Sequence, residues 1–165
     1  MTHPSGPQLP GTDDLLSIIR VQTEIARLGL DLDAVMALAA EASMKLTGAD
    51  GAAVEIAEGP LLVYRATAGS AAAQVGRSVD AEHSLSGLCL RSGTALTSDN
   101  VEGDPRVDLT SCHQIGLRSM AVVPLCHDIE NVGVLKVLSS RQAATVRINP
   151  KCDRGLSASG NCIGN

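Results

Sequence analysis

Apolar positions recur with two different periods along the chain, and the change of period marks the elements. From Asp14 the stretch LLSIIRVQTEIARLG places Leu15, Ile18, Ile19, Val21, Ile25 and Leu28 at helical spacing, spread over more than one narrow stripe. A helix that is apolar on two sides needs cover on two sides, from its own domain and from a partner. Gly29 is expected to end it. The next stretch, DLDAVMALAAEASMKLTG, predicts a second helix with Asp31 as N-cap, and Leu32, Val35, Met36, Ala39 and Leu46 on one face. Gly48 stands where a left-handed C-terminal residue is expected. The period then drops to two. GAAVEIAEGPLLVYRATAG alternates around a Gly59-Pro60 turn and predicts an antiparallel hairpin, with Ala52, Val54 and Ile56 sharing one face, as do Leu62, Tyr64 and Ala66.

The middle of the chain is less periodic. SAAAQVGRSVDAEHS is expected to be loop, LSGLCLRSG a short helix ending at Gly93, and TALTSD a short strand. NVEGDPRVD carries the Gly, Asp and Pro of a connecting loop, and LTSCHQIG predicts one or two helical turns ending at Gly116. SMAVVPLCHDIENVGVLKVLS then reads as two apolar strands joined through HDIEN, a second hairpin. Helices followed by hairpins give an α+β domain with an antiparallel sheet and helices gathered on one side. At 165 residues the chain has the size of one domain. The expected division is a disordered leader over 1–13, the domain over 14–140, and an atypical, disordered tail over 141–165.

Composition narrows the chemistry. The chain is 44% hydrophobic but has no Trp, no Phe and one Tyr, so its core is built from aliphatic residues and offers no aromatic platform for a flat ligand. Thirteen Lys and Arg against eighteen Asp and Glu, with no basic run before the tail, argue against nucleic acid. No run of eighteen uncharged apolar residues and no signal-like N-terminus occur, which points to a cytoplasmic protein with no membrane partner. Five cysteines without short regular spacing suit a reducing compartment.

The segment SLSGLCLRSGTALTSDNVEGDPRVDLTSCHQIGLRSMAVVPLCHDIENVGVLKVLS resembles the second half of a GAF domain, a small-molecule sensory module of bacterial signalling proteins. The likeness rests on the SGLC helix, DPRVD before a short helix, GLRSM leading into VVPL, and VGVLKVLS closing the sheet. LDLDAVMALAAEASMKLTGADGAAVEI is similar to the family's opening helix and first strand, so the resemblance covers about residues 15–140. In particular it is similar to GAF domains attached to diguanylate cyclases and histidine kinases. It implies a GAF/PAS-like central antiparallel sheet with helices on one side, and a non-catalytic sensor of an unknown small molecule. It also implies an output domain or a signalling protein in trans. Ligand-pocket candidates under the resemblance are Asp99, Asp104, Cys112, His113, Arg118 and Met120; no cofactor and no metal are expected. Asp108 and Arg106 lie in the same loop, and Arg118 is the first contact expected for an anionic ligand.

The family pattern ends in a long amphipathic helix, whereas residues 141–165 carry Pro150, three glycines and no helical stripe. Residues 1–140 hold 9 basic and 17 acidic residues, a net −8, and the tail holds 4 and 1, a net +3. A shifted reading frame that truncates a longer signalling protein is one expectation. Without the closing helix, three or four side chains of residues 15–28 stay uncovered, each forfeiting roughly 1.5–3 kcal/mol, so a homodimer through that helix is expected.

Two Cys-His pairs, Cys112-His113 and Cys126-His127, raise sharper readings. A metal site is disfavoured because neighbouring strand residues point to opposite faces; a buried Cys126 beside an exposed turn His127 is the simpler expectation. Bilin attachment and cyclic nucleotide binding, both known in the family, want aromatic rings that this chain lacks. The serious alternative is a thiol enzyme similar to free methionine sulfoxide reductases, with Cys89 in SGLC and Cys112 before VVPL as its thiols. The chain departs from that pattern at the acidic residues, with Lys136 where a carboxylate is wanted.

Overall fold

A computed structural model describes residues 11–29 and 31–142. Two long helices open the chain. α1 (Thr12–Leu28) begins two residues earlier than the apolar pattern suggests, and Gly29 closes it at φ +63°. Its Val21, Ile25 and Leu28 are half-buried, while Leu15, Leu16, Ile18 and Ile19 are exposed. α2 (Leu32–Thr47) starts where the Asp31 carboxylate accepts the Ala34 N–H at 3.0 Å and stops at Gly48 in the left-handed region. The buried face differs from the expected one. Ala40 and Ala42 are buried, and Met36, Ala39 and Met44 pack against the cluster that holds Ala40, whereas Leu32 and Leu46 are exposed. Small residues let the helix lie close to the sheet, and the exposed Leu32 and Leu46 stand at or near its two ends.

The strands are β1 (Gly51–Glu58), β2 (Leu61–Gly69), β3 (Ser78–Asp80), β4 (Leu96–Ser98), β5 (Ser119–His127) and β6 (Glu130–Ser139). They form one antiparallel sheet in the order β3-β2-β1-β6-β5-β4, giving an α+β fold with the long helices gathered on one side. α2 covers the face made by Ala52, Val54, Ala66, Ala68, Ala121 and Val137. The other face is covered by two short helices, α3 (Leu85–Ser92) and α4 (Leu109–Gln114), and by the segments between them. The stretch expected to be loop, 70–84, holds the edge strand β3 and a 3-10 turn at Ala72–Gln74; three ladder residues were too few to show as a pattern.

Two register shifts decide which side chains face which way. In the β1–β2 ladder Val54 opposes Ala66 but Glu55 opposes Tyr64, so Arg65 is an extra residue on β2. Such a bulge reverses the alternation beyond it. Tyr64 therefore joins Ala53 in the α3–α4 cluster while Ala66 joins the α2 cluster, correcting the expectation that Leu62, Tyr64 and Ala66 share a face. In the β5–β6 ladder Leu125 opposes Gly133 and Cys126 opposes Asn131, leaving Val132 extra. Cys126 lies beyond that shift at the hairpin's free end and is exposed, not buried as expected; its thiol donates to Asn131 Oδ1 at 2.9 Å. The tail expectations for 143–165 and most of the leader, 1–10, fall outside the described residues.

Candidate functional site

On the face covered by α3 and α4, three polar side chains meet inside an aliphatic core. Glu55 stands in the middle of β1, between Tyr64 of β2 and Val134 of β6 in register. Lys136 of β6 opposes Ala53 on one side and Val122 on the other. Alternation along β1 and β6, together with the bulge in β2, turns Glu55, Tyr64 and Lys136 to this same face. The Lys136 ammonium forms an ion pair with Glu55 Oε1, donates to Tyr64 Oη at 2.5 Å, and lies 4.4 Å from the centre of the Tyr64 ring. Glu55 is 0% exposed and Lys136 6%. Burial by itself would discharge Lys136, but the Glu55 carboxylate, then Tyr64, hold its affinity for the proton above the ordinary lysine value. Burial pushes the Tyr64 phenol up, Glu55 adding to the effect and Lys136 opposing it.

A cavity of about 40 Å³ lies over this group. Lys136 and Tyr64 line it from the sheet, Ser84 and Asp108 from the caps of α3 and α4, and Cys112 and Met120 from α4 and β5, with aliphatic side chains between them. Both caps are held by their own chemistry. The Ser84 hydroxyl accepts the Gly87 N–H at 3.1 Å, and the Asp108 carboxylate accepts the Thr110 N–H at 3.0 Å. A Cβ at Gly87 would fall 1.6 Å from the Ala81 carbonyl oxygen, so α3 reaches this depth only because residue 87 has no side chain.

The sequence candidates divide between this cavity and the surface. Cys112 and Met120 line it. His113 is exposed on α4, and Asp99 is exposed after β4. The Asp104 carboxylate is bound by Arg106, Nη2 at 2.6 Å and Nε at 2.8 Å, and Arg106 also donates to the Thr97 carbonyl. That guanidinium holds the Asp104 pKa down to about 2. Arg118 is exposed and pairs with Glu102 at 2.9 Å. Neither Arg118, His113, Asp99 nor Asp104 is among the residues lining the cavity.

Sequence reasoning missed Glu55, Tyr64 and Lys136 as a group. The available signal was a lone charge in each of two apolar strands, AAVEIA and VGVLKVLS, of opposite sign. The two cysteines of the enzymatic alternative, Cys89 and Cys112, both belong to the buried cluster on this face. Burial pushes the Cys89 thiol up to about 12, with Cys126 and Glu55 adding to it. Burial also pushes Cys112 up to about 11, Lys136 opposing and Asp108 adding. Among the described residues no group of three or more His, Cys, Asp or Glu is placed to hold a metal ion. No helix among them is long and apolar enough to cross a membrane.

A family model described as GAF domain matches residues 29–147. Among solved structures, the GAF domain from an Acinetobacter phosphoenolpyruvate-protein phosphotransferase is 17% identical with a TM-score of 0.68, covering 81% of this chain and 80% of that one. Free methionine-R-sulfoxide reductase from Neisseria meningitidis is 20% identical with a TM-score of 0.67, covering 82% and 80%. The chromophore-binding domain of Stigmatella aurantiaca phytochrome P1 is 16% identical with a TM-score of 0.64, covering 84% and 56%. At these identities the likeness is one of fold. No curated protein matches the sequence.

Proposed function

The chain belongs to the GAF domain family, and on that premise we propose that it is a small-molecule sensory or regulatory module of bacterial signal transduction, one that binds a ligand without turning it over. The observation that carries the reading is the cavity over the buried Lys136–Glu55–Tyr64 group. A molecule entering it touches β2, β5 and β6 on one side and the α3–α4 cover on the other. The opposite face of those strands packs on α2, and α2 packs on α1. A small displacement of the sheet therefore reaches the long helices, whose movement would inform an output domain or a signalling protein in trans in the cytoplasm.

We further propose that α1 meets a second copy of the chain. Leu15, Leu16, Ile18 and Ile19 are 38–56% exposed within five residues of one helix, a clustering of apolar surface of the kind that marks an interaction site. The groove beside them is lined by Asp14, Arg20, Glu41 and Lys45, charges of both signs that a two-fold axis can set against each other.

The thiol-enzyme alternative has one observation in its favour, the common cluster of Cys89 and Cys112. It needs a thiolate, and both thiols are protonated at neutral pH. A thermal-shift screen of small molecules tests the sensor reading, with ligand at a hundred times its Kd adding about 2.7 kcal/mol of stability. Reduction of free methionine sulfoxide with a dithiol, abolished by Cys112→Ser, would overturn it in favour of the enzyme.

A further inference from the structure

We propose that the cavity selects a small uncharged ligand offering an oxygen acceptor to Lys136 Nζ, and that it discriminates against carboxylates and phosphates. This inference rests on the cavity being the ligand site and names the class of ligand that site takes.

The first support is a count of donors. An ammonium has three N–H groups. Among the described residues Lys136 Nζ has two partners, Glu55 Oε1 and Tyr64 Oη, while its side chain lines the cavity. One N–H remains on a charged group that is almost wholly out of water, and leaving such a donor empty is unfavourable. A ligand oxygen is the natural partner.

The second support is a count of charge. Lys136 is already neutralised in direct contact by Glu55, which is fully buried behind it. The other ionisable groups lining the cavity, Tyr64, Cys112 and Asp108, bring no positive charge to it. The cavity and its floor therefore hold no cation beyond the one that Glu55 already balances. A carboxylate reaching for the third N–H would come within one ion pair's reach of Glu55, where the low dielectric strengthens the repulsion several-fold over water. A carbonyl or hydroxyl oxygen gains the same hydrogen bond without that repulsion. This inverts the expectation of an anion held by Arg118, which pairs with Glu102 at the surface.

The third support is size and lining. One water occupies roughly 10–15 Å³ by the measure used for cavities, so about 40 Å³ admits a ligand end of roughly four non-hydrogen atoms. Ile115, Leu117, Met120 and Leu138 supply an apolar wall for the part that does not bond Lys136.

Acetamide and acetate share shape and differ in charge, so the pair isolates the claim. Both would be titrated into the protein while backbone amide shifts are followed by NMR, with xenon as an apolar probe of the cavity. Acetamide is expected to shift the amides around Tyr64, Cys112 and Lys136 saturably, with acetate at least 10-fold weaker. Glu55→Leu combined with Lys136→Met removes the ammonium without stranding a buried charge, and should abolish acetamide binding while xenon still enters. Acetate binding as tightly as acetamide would overturn the charge argument and leave the cavity a ligand site. Xenon entering with no acetamide response would overturn the Lys136 anchor alone. Exclusion of all three probes would overturn the inference together with the sensor reading beneath it.

Discussion

Replacing Lys136 by Met should cost far more stability than replacing both Lys136 and Glu55. The single substitution leaves Glu55, at 0% exposure, as a carboxylate without its counter-charge. Breaking a buried pair in this way costs about 3–5 kcal/mol, a fifth or more of the roughly 5–15 kcal/mol that holds a domain together. Glu55→Leu strands the ammonium and should cost a similar amount, since Tyr64 Oη is a neutral partner. In the double variant two apolar side chains of similar volume fill the space, and the expected change is between neutral and a gain of up to about 4 kcal/mol. The cycle therefore predicts a coupling of at least about 6 kcal/mol between sites on two paired strands. Urea unfolding of the four proteins measures it. With an m-value of about 2 kcal/mol per molar, each single variant should lower the midpoint by about 1.5–2.5 M at unchanged slope, and the double variant should return to the parent or beyond. A double-variant loss equal to the sum of the singles would refute the reasoning, because the two charges would then not be acting as a pair.

Further outcomes follow from the same geometry. Tyr64→Phe keeps the ring 4.4 Å below the ammonium but removes the phenol oxygen, and should lose about 1.5–3 kcal/mol in the same urea assay. Asp104 has a pKa held down to about 2 against an ordinary 3.8, so its stabilising effect is present above about pH 4 and lost as pH falls through 2. The gap in melting temperature between parent and Asp104→Asn should therefore close over that window, corresponding to about 1 kcal/mol after solvent screening; a gap that persists at pH 2 counts against the Arg106 pair. Gly87→Ala must push the α3 turn off Ala81 and should cost about 2 kcal/mol or more, read by thermal unfolding. Ile19→Glu, placed on the exposed stripe of α1, should convert a dimer to a monomer in light scattering at micromolar concentration without lowering the melting temperature of the monomer.

What the sequence determined by itself was local. The Asp31 cap and Gly48 stop of α2, the end of α3 at Gly93, the Gly59-Pro60 turn and the second hairpin were all legible, because each depends on residues within a few positions of one another. Part of the cavity lining was legible too, since Cys112 and Met120 sit on elements adjoining a recognisable loop. Tertiary structure alone decided the rest. Alternation read along β2 puts Tyr64 with Ala66, and only the ladder with β1 makes Arg65 the extra residue that turns Tyr64 over. Only the pairing of β6 against β1 brings Lys136 beside Glu55, 81 positions away along the chain. Those contacts depend on which strands become neighbours and in which register, and a bulge of one residue changes the facing of a side chain without leaving a mark in its own hydrophobic pattern.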